Sequence, residues 1–493
     1  MLNPDNLAPT SAPARPASDA TPEQLRRAFD AQAAVALRLR TSTARERAAR
    51  IRKLRDALLQ HREALHEAFA QDMHKSPAEV EATELLPVMD EIRHALGRVG
   101  RWMKPQGVWP TSTSLGTRAA VHYQPRGRVL IIAPWNDPFN LCFGPLVSAV
   151  AAGNTVVLKP SEMTPAVAAL MGRIVAQVFP PEEVAYFEGG PATSQALLDL
   201  PFDHIFFTGS PAVGKIVMAA AARHLASVTL ELGGKSPTLI DETADLAMAA
   251  ETVMWGKFLN NGQTCIAPDY LLVHASVKAP FIEHCLSALQ RLYGATAQDR
   301  QGNPDLTRVV NARHTDRLAA MLQDATSRGA RIVAGGEVAA AERYIAPTLL
   351  DNVPEGARVL EEEIFGPLLP ICTYTDLDSA IAGINAGPKP LALYVFSRNA
   401  QHVDRVVQGT SSGGVCVNTA MLHFAHGNLP FGGVNNSGLG NAHGFYGFKA
   451  FSHERAVLRG TPLRLVKMFF PPFTAGRTRL IRRVVDSLRL PML

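Results

Sequence analysis

The sequence predicts an α/β fold organised around doubly wound parallel sheets. Short apolar runs alternate with helix-like segments of about ten to fifteen residues, a pattern typical of strand–helix–strand units. The chain has 493 residues, of which 47% are hydrophobic and 19% charged, as expected for a globular protein of two or three domains. Polar residues follow several of the apolar runs, where parallel sheets bind ligands. The strands predicted for the first sheet are 129–133, 155–159, 184–187 and 204–208.

The residues before the first sheet predict helices. A helix is predicted for 21–36, because Thr-Pro-Glu is a typical helix start. A second is predicted for 43–70, where apolar residues recur every three, four or seven positions, and a third for 78–102. The segment 104–116 is rich in Pro, Ser and Thr and should break the pattern.

Helices predicted at 139–152 and 165–178 complete the first α/β unit. A second region of alternating strands and helices follows and predicts a second α/β unit. No internal repeat is visible. The strands predicted for this second region are 227–232, 237–240, 270–274, 368–374, 391–396 and 414–418.

Cysteine usage and hydropathy limit the class of protein. Five widely spaced cysteines without a C-x-x-C pair favour a reducing compartment over a disulfide framework or a zinc site. Residues 1–20 predict a flexible leader without the apolar core of a signal peptide, and no apolar run is long enough to span a membrane. We therefore expect a cytoplasmic protein. The cysteines are Cys142, Cys265, Cys285, Cys372 and Cys416.

Positive charge is concentrated in the tail. Residues 455–493 contain nine Lys or Arg and one acidic residue, Asp486, whereas the whole chain carries a net charge of only +5. The remainder is therefore slightly acidic, which argues against nucleic-acid binding. Within 477–490 a helix would separate arginines from an apolar face and could lie on an anionic membrane or dock on a partner subunit. That face contains Leu480, Ile481, Val484, Val485 and Leu488.

Cys265 stands out because its neighbours are turn-forming residues. It follows Asn260-Asn261-Gly262-Gln263-Thr264 and precedes Ile266-Ala267-Pro268, between a helix-like and a strand-like segment. Catalytic groups are often displayed on such loops. By itself this setting leaves open a nucleophilic thiol or a buried structural cysteine.

Two motifs at the ends of predicted strands suggest contacts with a nucleotide. Gly209-Ser210-Pro211-Ala212-Val213-Gly214-Lys215 follows a strand and opens a helix whose amides could hold a phosphate. It resembles a P-loop, but Ile216 cannot bind magnesium, so a triphosphatase is disfavoured and a plain turn is the alternative. Lys159-Pro160-Ser161-Glu162 places a carboxylate where ribose hydroxyls bind in dinucleotide folds.

A third motif places a carboxylate inside an apolar strand. Glu231 precedes Gly233 and Gly234, so it is paired, exposed at the strand end or functional. His423 and His426 could suggest a metal site, but without further clustered ligands we interpret them as loop residues and predict no metal.

Together these residues resemble the NAD(P)-dependent aldehyde dehydrogenase superfamily over roughly residues 25–455. The sequence from Trp255 to Tyr270 is similar to that of the class 3 branch. The segment Phe469-Phe470-Pro471-Pro472-Phe473 is similar to the bacterial coniferyl aldehyde dehydrogenase-like group. The ordered motifs are Pro134-Trp135-Asn136, Lys159-Pro160-Ser161-Glu162, Phe207-Thr208-Gly209-Ser210, Glu231-Leu232-Gly233-Gly234-Lys235, Gly262-Gln263-Thr264-Cys265, Glu363-Ile364-Phe365-Gly366-Pro367 and Pro430-Phe431-Gly432-Gly433.

The resemblance implies oxidation of an aldehyde to its acid. Cys265 would attack as a thiolate, and the Asn136 side chain with the Cys265 amide would hold the oxyanion. After hydride transfer leaves a thioester, Glu231 would activate water. Aromatic, coniferyl-type, aliphatic and carotenoid-like aldehydes all remain open as substrates.

The resemblance also implies NAD as cofactor, with NADP possible, and a homodimer. Lys159 and Glu162 would contact the adenosine ribose, and Gly209, Ser210 and Gly214 the pyrophosphate. Trp135, Glu363 and Phe365 complete the expected cofactor site, the last two at the nicotinamide ribose and ring. The predicted domains are a leader (1–20), a dinucleotide-binding domain (21–230, with 105–125 contributing to oligomerisation), a catalytic domain (231–425), a return and oligomerisation segment (426–455) and a basic amphipathic tail (456–493).

Two positions depart from the family pattern. Asp137 follows Asn136 where the family usually has an aromatic residue, and Asn435 replaces a usual class 3 glycine. Three alternative functions remain: a cysteine hydrolase, which would need no NAD, a non-catalytic member of the fold, and an acylating variant that uses coenzyme A. Intact Cys265, Glu231 and Asn136 argue against the second, and Glu231 favours water as the acyl acceptor.

Overall fold

The computed structural model describes residues 19–111, 114–462 and 465–487. Most of the predicted leader therefore lies outside the described residues. The strands, β1 to β18 in chain order, are Gln106–Val108, Thr117–Pro125, Arg128–Ile132, Thr155–Lys159, Val184–Tyr186, His204–Gly209, Ser227–Leu232, Pro237–Ile240, Tyr270–His274, Arg331–Ala334, Val338–Ala339, Tyr344–Ile345, Thr348–Asp351, Leu368–Tyr374, Ala392–Phe396, Gly414–Val417, Gly438–Leu439 and Ser452–Gly460.

Helices cover the two large sheets. The α-helices, α1 to α18, are Pro22–Leu39, Ala44–Gln60, Arg62–Met73, Pro77–Val80, Leu86–Trp102, Asn140–Ala152, Pro165–Val178, Pro191–Leu198, Pro211–Ala222, Leu246–Phe258, Lys278–Tyr293, Ala297–Gly302, Ala312–Ser327, Arg358–Glu361, Leu377–Ala386, Ala400–Gly409, Gly444–Ala450 and Ala475–Ser487. A π-helical turn, Glu81–Leu85, and 3₁₀ turns at Leu259–Gly262, Ala275–Val277, Ala340–Glu342 and Leu465–Phe469 complete the described elements.

The α/β architecture predicted from the sequence is confirmed. A six-stranded sheet has the order β17-β7-β6-β3-β4-β5 and a seven-stranded sheet the order β10-β13-β14-β9-β8-β15-β16. Neighbours pair in parallel except β17 and β10, which are antiparallel edges. A separate antiparallel sheet joins β1, β2 and β18. The residue boundaries predicted for the domains stay a prediction.

The six-stranded sheet is buried on both faces, which explains its continuous apolar strands. In β3, Val129 and Ile131 face a core with α6, whereas Leu130 and Ile132 face a second core that includes Phe202. In the register, Ile132 lies beside Lys159 and Phe207, and Thr208 beside Glu231. The strand ends therefore meet at one edge.

The sequence prediction was wrong about the continuity of one helix and missed a π turn inside another. The predicted helix 43–70 is divided at His61, which caps both α2 and α3, although the apolar spacing continues across the break. The predicted helix 78–102 contains the π turn, which widens the helix so that Glu84 reaches the backbone of Asn140. Strand 227–232, which was predicted for the second region, belongs to the first sheet as β7. The short strands β10 and β13 of the second sheet were missed.

Candidate active site

The loop that presents Cys265 is a rigid turn. Asn260, Asn261 and Gly262 have positive φ values of 50°, 54° and 73°, a conformation that Asn and Gly tolerate best. A Cβ on Gly262 would lie 2.3 Å from the carbonyl oxygen of Gly366, so this position also needs glycine for space. The turn directs the chain abruptly from α10 toward Cys265.

Buried hydrogen bonds fix this turn to distant parts of the chain. Asn260 Nδ2 donates to the carbonyl oxygen of Asn136 at 2.8 Å, and the Asn260 amide donates to Glu79. Gln263 Nε2 donates to the Arg308 carbonyl at 3.1 Å, while its Oε1 accepts from the Val310 amide at 2.9 Å. The asparagine and glutamine residues before Cys265 therefore hold the turn in place.

The protein surroundings of Cys265 favour the neutral thiol. Burial raises the pKa of the Cys265 thiol above its ordinary value, and the nearby carboxylates of Asp137, Glu363 and Glu231 raise that pKa further. The thiolate assumed by the sequence analysis is therefore not stabilised by these carboxylates. A positive charge bound beside the thiol would act in the opposite direction.

Glu231 is a buried carboxyl group on β7. The residue is 6% exposed, and among the described residues neither carboxylate oxygen has a hydrogen-bond partner. Burial raises the pKa of Glu231 well above the usual value. Such an unpaired group is costly for folding alone, which makes it a candidate for proton transfer.

Two cavities meet at these residues. The first is lined by residues from the strand ends and by Cys265. The second is mostly apolar and has Phe206, Phe424, Phe431 and Phe451 in its wall. Thr208, Glu231 and Cys265 line both cavities.

The first cavity contains most of the predicted site, and the rest lies further along the sheet edge. Lys159, Glu162 and Gly214 do not line it. Lys159 is buried and its Nζ donates to Glu162 at 3.1 Å. The predicted site residues in the cavity wall are Trp135, Asn136, Gly209, Ser210, Glu231, Cys265, Glu363 and Phe365.

The phosphate-binding motif forms the start of α9. Ser210 caps this helix by accepting a hydrogen bond from the Val213 amide, and Pro211 occupies the first turn. A Cβ on Gly214 would lie 2.8 Å from Leu232, so glycine lets the helix approach the strand. A helix N-terminus packed in this way fits the pyrophosphate of a dinucleotide.

The loop around Glu363 and Phe365 closes the other side. Arg317 donates to the carbonyl oxygen of Ile364 at 2.7 Å, and the Phe365 ring lies 5.3 Å from Trp135. A Cβ on Gly233 would lie 2.3 Å from the Glu363 carboxylate, which explains the glycine. Burial, with Asp269 nearby, raises the pKa of Glu363 to about 7. A carboxyl group beside exposed backbone suits the hydroxyls of a ribose.

Several residues of this site were not singled out from the sequence. Arg317 and His314 lie on α13, and His314 packs 5.1 Å from Trp135. Thr208 has a buried hydroxyl without a partner among the described residues. Lys75 contacts Asp137 from between α3 and α4. No local signal marked Arg317, His314 or Lys75, which stand near neither a glycine pair nor the cysteine in sequence. Thr208, by contrast, belongs to the motif Phe207-Thr208-Gly209-Ser210 given above.

The histidines considered for a metal have other contacts. His423 Nδ1 lies 3.1 Å from Cys416 Sγ, a contact that occupies one ring nitrogen. Asp241, Glu242 and His402 are close enough to share an ion, but Asp241 already accepts from Thr243 and contacts His402. These contacts give the residues structural partners on the second sheet.

A thiol and a carboxyl group of raised pKa that line two adjoining cavities are features expected of an active site. The chain belongs to the aldehyde dehydrogenase family, whose model matches residues 6–457. It is an NAD(P)-dependent aldehyde dehydrogenase, and solved structures similar to it include NAD⁺ complexes.

The similar proteins support the class 3 branch. The chain is 44% identical to the 4,4'-diaponeurosporen-aldehyde dehydrogenase of Staphylococcus aureus, covering 86% of this chain and 91% of that protein. It is 43% identical to human aldehyde dehydrogenase family 3 member B1, covering 95% and 97%. A substrate-bound structure of AldH from Staphylococcus aureus is 41% identical, with a TM-score of 0.89, and the match covers 94% of this chain and 99% of that one.

Proposed function

We propose that Cys265 is the nucleophile, Glu231 the base for hydrolysis and Asn136 an oxyanion donor in the oxidation of apolar aldehydes. The observation that carries this proposal is the meeting of two cavities at a partly buried thiol and an unpaired buried carboxyl group. An aldehyde entering from the apolar cavity would meet the thiol from the side opposite the cofactor.

The proposed reaction has two stages. Cys265 Sγ, after transferring its proton to solvent water, attacks the carbonyl carbon, and the resulting oxyanion is held by the Asn136 amide and the Cys265 backbone N–H. NAD(P), which Gly209, Ser210, Glu363 and Phe365 would hold, would supply the hydride acceptor and a positive charge near the thiol. In the second stage Glu231 takes a proton from water as the water oxygen attacks the thioester, and the carboxylic acid leaves as the Cys265 sulfur is released.

The substrate class follows from the second cavity. Its wall has four phenylalanine side chains, with Leu141 and Pro145, and also includes the polar side chains of Glu91 and His443. We expect kcat/KM for benzaldehyde, cinnamaldehyde and hexanal to exceed that for acetaldehyde by at least about tenfold, since each buried methylene contributes about 0.8 kcal/mol. NADH absorbance measures this difference, with chromatography of the acid product. Equal values for acetaldehyde would contradict the apolar-substrate proposal, and acid formation without NAD would indicate a hydrolase.

Glu162 determines the expected cofactor preference. Its side chain is 41% exposed and next to Lys159, so a 2′-phosphate placed at the ribose would meet a like charge. We expect kcat/KM to favour NAD, and Glu162→Gln to reduce the NAD-to-NADP ratio several-fold, because a half-exposed charge contributes on the order of 1 kcal/mol. Glu182→Gln, at an exposed acid on the same sheet unit, is the matched control. A native preference for NADP would remove Glu162 from the ribose site.

We further propose a homodimer located in the cytoplasm. The antiparallel sheet of β1, β2 and β18 supports the dimer. It presents exposed apolar side chains at Val108, Trp109 and Leu458, and its outer strands have unpaired edges within the described residues. The free cysteines are compatible with a reducing compartment. Sedimentation of the full chain tests the dimer.

The basic tail supports peripheral contact with an anionic membrane. In α18, Leu480 and Val485 are exposed beside Arg479 and Arg482, and Phe470 and Phe473 are exposed just before the helix. Leu488 and Arg489 of the predicted helix lie outside the described residues. Among the helices of the described ranges, none is long and apolar enough to cross a membrane.

Deletion of residues 463–493 tests this proposal and leaves β18 intact. We expect full-length protein to float with vesicles containing about one third phosphatidylserine, and the deleted chain to remain unbound, because each surface arginine contributes about 1 kcal/mol. Neutral phosphatidylcholine vesicles are the lipid control. Equal flotation of both chains would contradict the proposal and leave docking on a partner subunit as the role of the tail.

A further inference from the structure

A buried charged cluster lies directly behind the Asn136 side chain. Asn136 Nδ2 donates to Asp137 Oδ2 at 2.9 Å. Lys75 Nζ donates to Asp137 Oδ1 at 3.2 Å and to Glu84 Oε1 at 2.9 Å. The Lys75 and Glu84 side chains are fully buried, and the Asp137 side chain is only 12% exposed. The reaction proposed above uses none of these three charged groups.

Local structure explains how the cluster forms. The π turn directs Glu84 toward the start of α6, where its Oε2 accepts from the Asn140 amide at 3.0 Å. Asp137 precedes α6, and its carbonyl accepts from Leu141 at 2.9 Å. Lys75, between α3 and α4, connects both carboxyl groups. Three separate segments therefore fix the position of the Asp137 carboxylate.

One lysine, Lys75, donates hydrogen bonds to both carboxyl groups of the cluster. Burial favours neutral Lys75, but the Glu84 and Asp137 carboxylates outweigh it and raise the Lys75 pKa above its ordinary value. Burial raises the pKa of Glu84, with the Asp137 charge adding to that effect. Lys75 lies within hydrogen-bond distance of Asp137 as well as Glu84, so Asp137 is paired with a cation while it accepts from Asn136.

We propose that Asp137 is a positioning residue that fixes the Asn136 amide with its N–H directed at the oxyanion. The inference rests on the proposed role of Asn136 in the reaction. An amide has two N–H groups, and donating one to Asp137 leaves the other available while preventing the flip that would present the amide oxygen instead. Lys75 balances the acid, which would otherwise place an uncompensated charge beside a developing oxyanion.

In this chain Asp137 is also one of the charges that raise the pKa of Cys265. An acid here therefore has an electrostatic disadvantage for thiolate formation. Its hydrogen bond to Asn136 is the compensating interaction, and Lys75 limits the disadvantage by pairing with the charge.

The experiment is a double-mutant cycle read by single-turnover NADH formation, with enzyme in excess over benzaldehyde and saturating NAD. Asp137→Leu, which keeps the branched shape of the side chain but has no acceptor, is expected to lower the limiting single-turnover rate about tenfold. The enzyme concentration at half-maximal rate should change less than twofold, because the interaction acts in the transition state. In the Asn136→Ala background the same substitution should change the rate less than twofold.

Asp137→Asn keeps a neutral acceptor and should fall between the native chain and Asp137→Leu. If Asp137→Leu fails to fold, as judged by thermal unfolding and NAD binding, Asp137→Asn is taken through the same cycle. The smaller decrease in single-turnover rate caused by Asp137→Asn should also disappear in the Asn136→Ala background. Equal losses in both backgrounds, with either variant, would overturn the positioning role. If the native chain forms no NADH from any aldehyde, the proposed function itself is wrong. If the native chain turns over but the effects of the Asp137 and Asn136 substitutions are additive, only the positioning role of Asp137 is wrong.

Discussion

Replacing Cys265 by serine is expected to abolish aldehyde-dependent NADH formation, with a loss of about 10³-fold or more. The thiol is buried beside Asp137, Glu231 and Glu363, whose charges oppose formation of any anion at this position. A thiol still ionises far more readily than a serine hydroxyl, so serine would need a dedicated base. The measurement is NADH absorbance under single-turnover conditions, with mass spectrometry for acyl enzyme on residue 265.

Cys372→Ser is the matched control for this substitution. Cys372 is partly buried on β14 and does not line either cavity of the site. The control should keep native turnover and native labelling of Cys265 by an aldehyde. Native turnover in Cys265→Ser would remove the cysteine from the reaction, and loss of activity in Cys372→Ser would show that thiol substitution acts through stability.

The fold could be predicted largely from local patterns. Parallel strands buried on both faces are continuous apolar runs, so 129–133, 155–159 and 204–208 were recognisable without further information. The π turn at Glu81–Leu85 and the break at His61 were not, because apolar spacing continues through both. Helix continuity there depends on contacts with residues distant in sequence.

Individual site residues were predictable where backbone constraints are visible in the sequence. Gly262, Gly233 and Gly214 each leave space that a Cβ would fill. Asn435 illustrates the same rule: it replaces a usual glycine and has a φ of 55°, a conformation that asparagine tolerates. Such positions can be interpreted without knowing the tertiary structure.

The electrostatics of the site were not predictable from sequence. The Asn260 amide contacts Glu79, and Glu79 accepts from Thr307 at 2.7 Å, although these residues are far apart along the chain. The sequence analysis expected Cys265 to be a thiolate in a polar loop. Burial and three carboxyl groups from different elements instead favour the thiol, and only the folded arrangement brings those groups together.

Glu231→Gln is expected to separate the two stages of the proposed reaction. The amide keeps the shape of the side chain but cannot accept a proton from water, so steady-state turnover should fall about 10²–10⁴-fold. Thiol attack and hydride transfer do not require this proton transfer. The variant should therefore release NADH in a burst approaching one per active site and accumulate a thioester on Cys265. Glu251→Gln, at an exposed acid paired with Arg291, is the control and should turn over normally.

The pH dependence of thioester decay adds an independent test of Glu231. Burial raises the pKa of this carboxyl group, so its base form is scarce below the raised pKa and increases as pH rises through it. Native acyl enzyme should therefore hydrolyse faster with increasing pH, whereas Glu231→Gln should show a much flatter profile. Because the Cys265 sulfur is acylated during this step, its own ionisation does not contribute to the slope. Native steady-state turnover in the variant would remove Glu231 from hydrolysis, and absence of the NADH burst would show that Glu231 also takes part in activating the thiol.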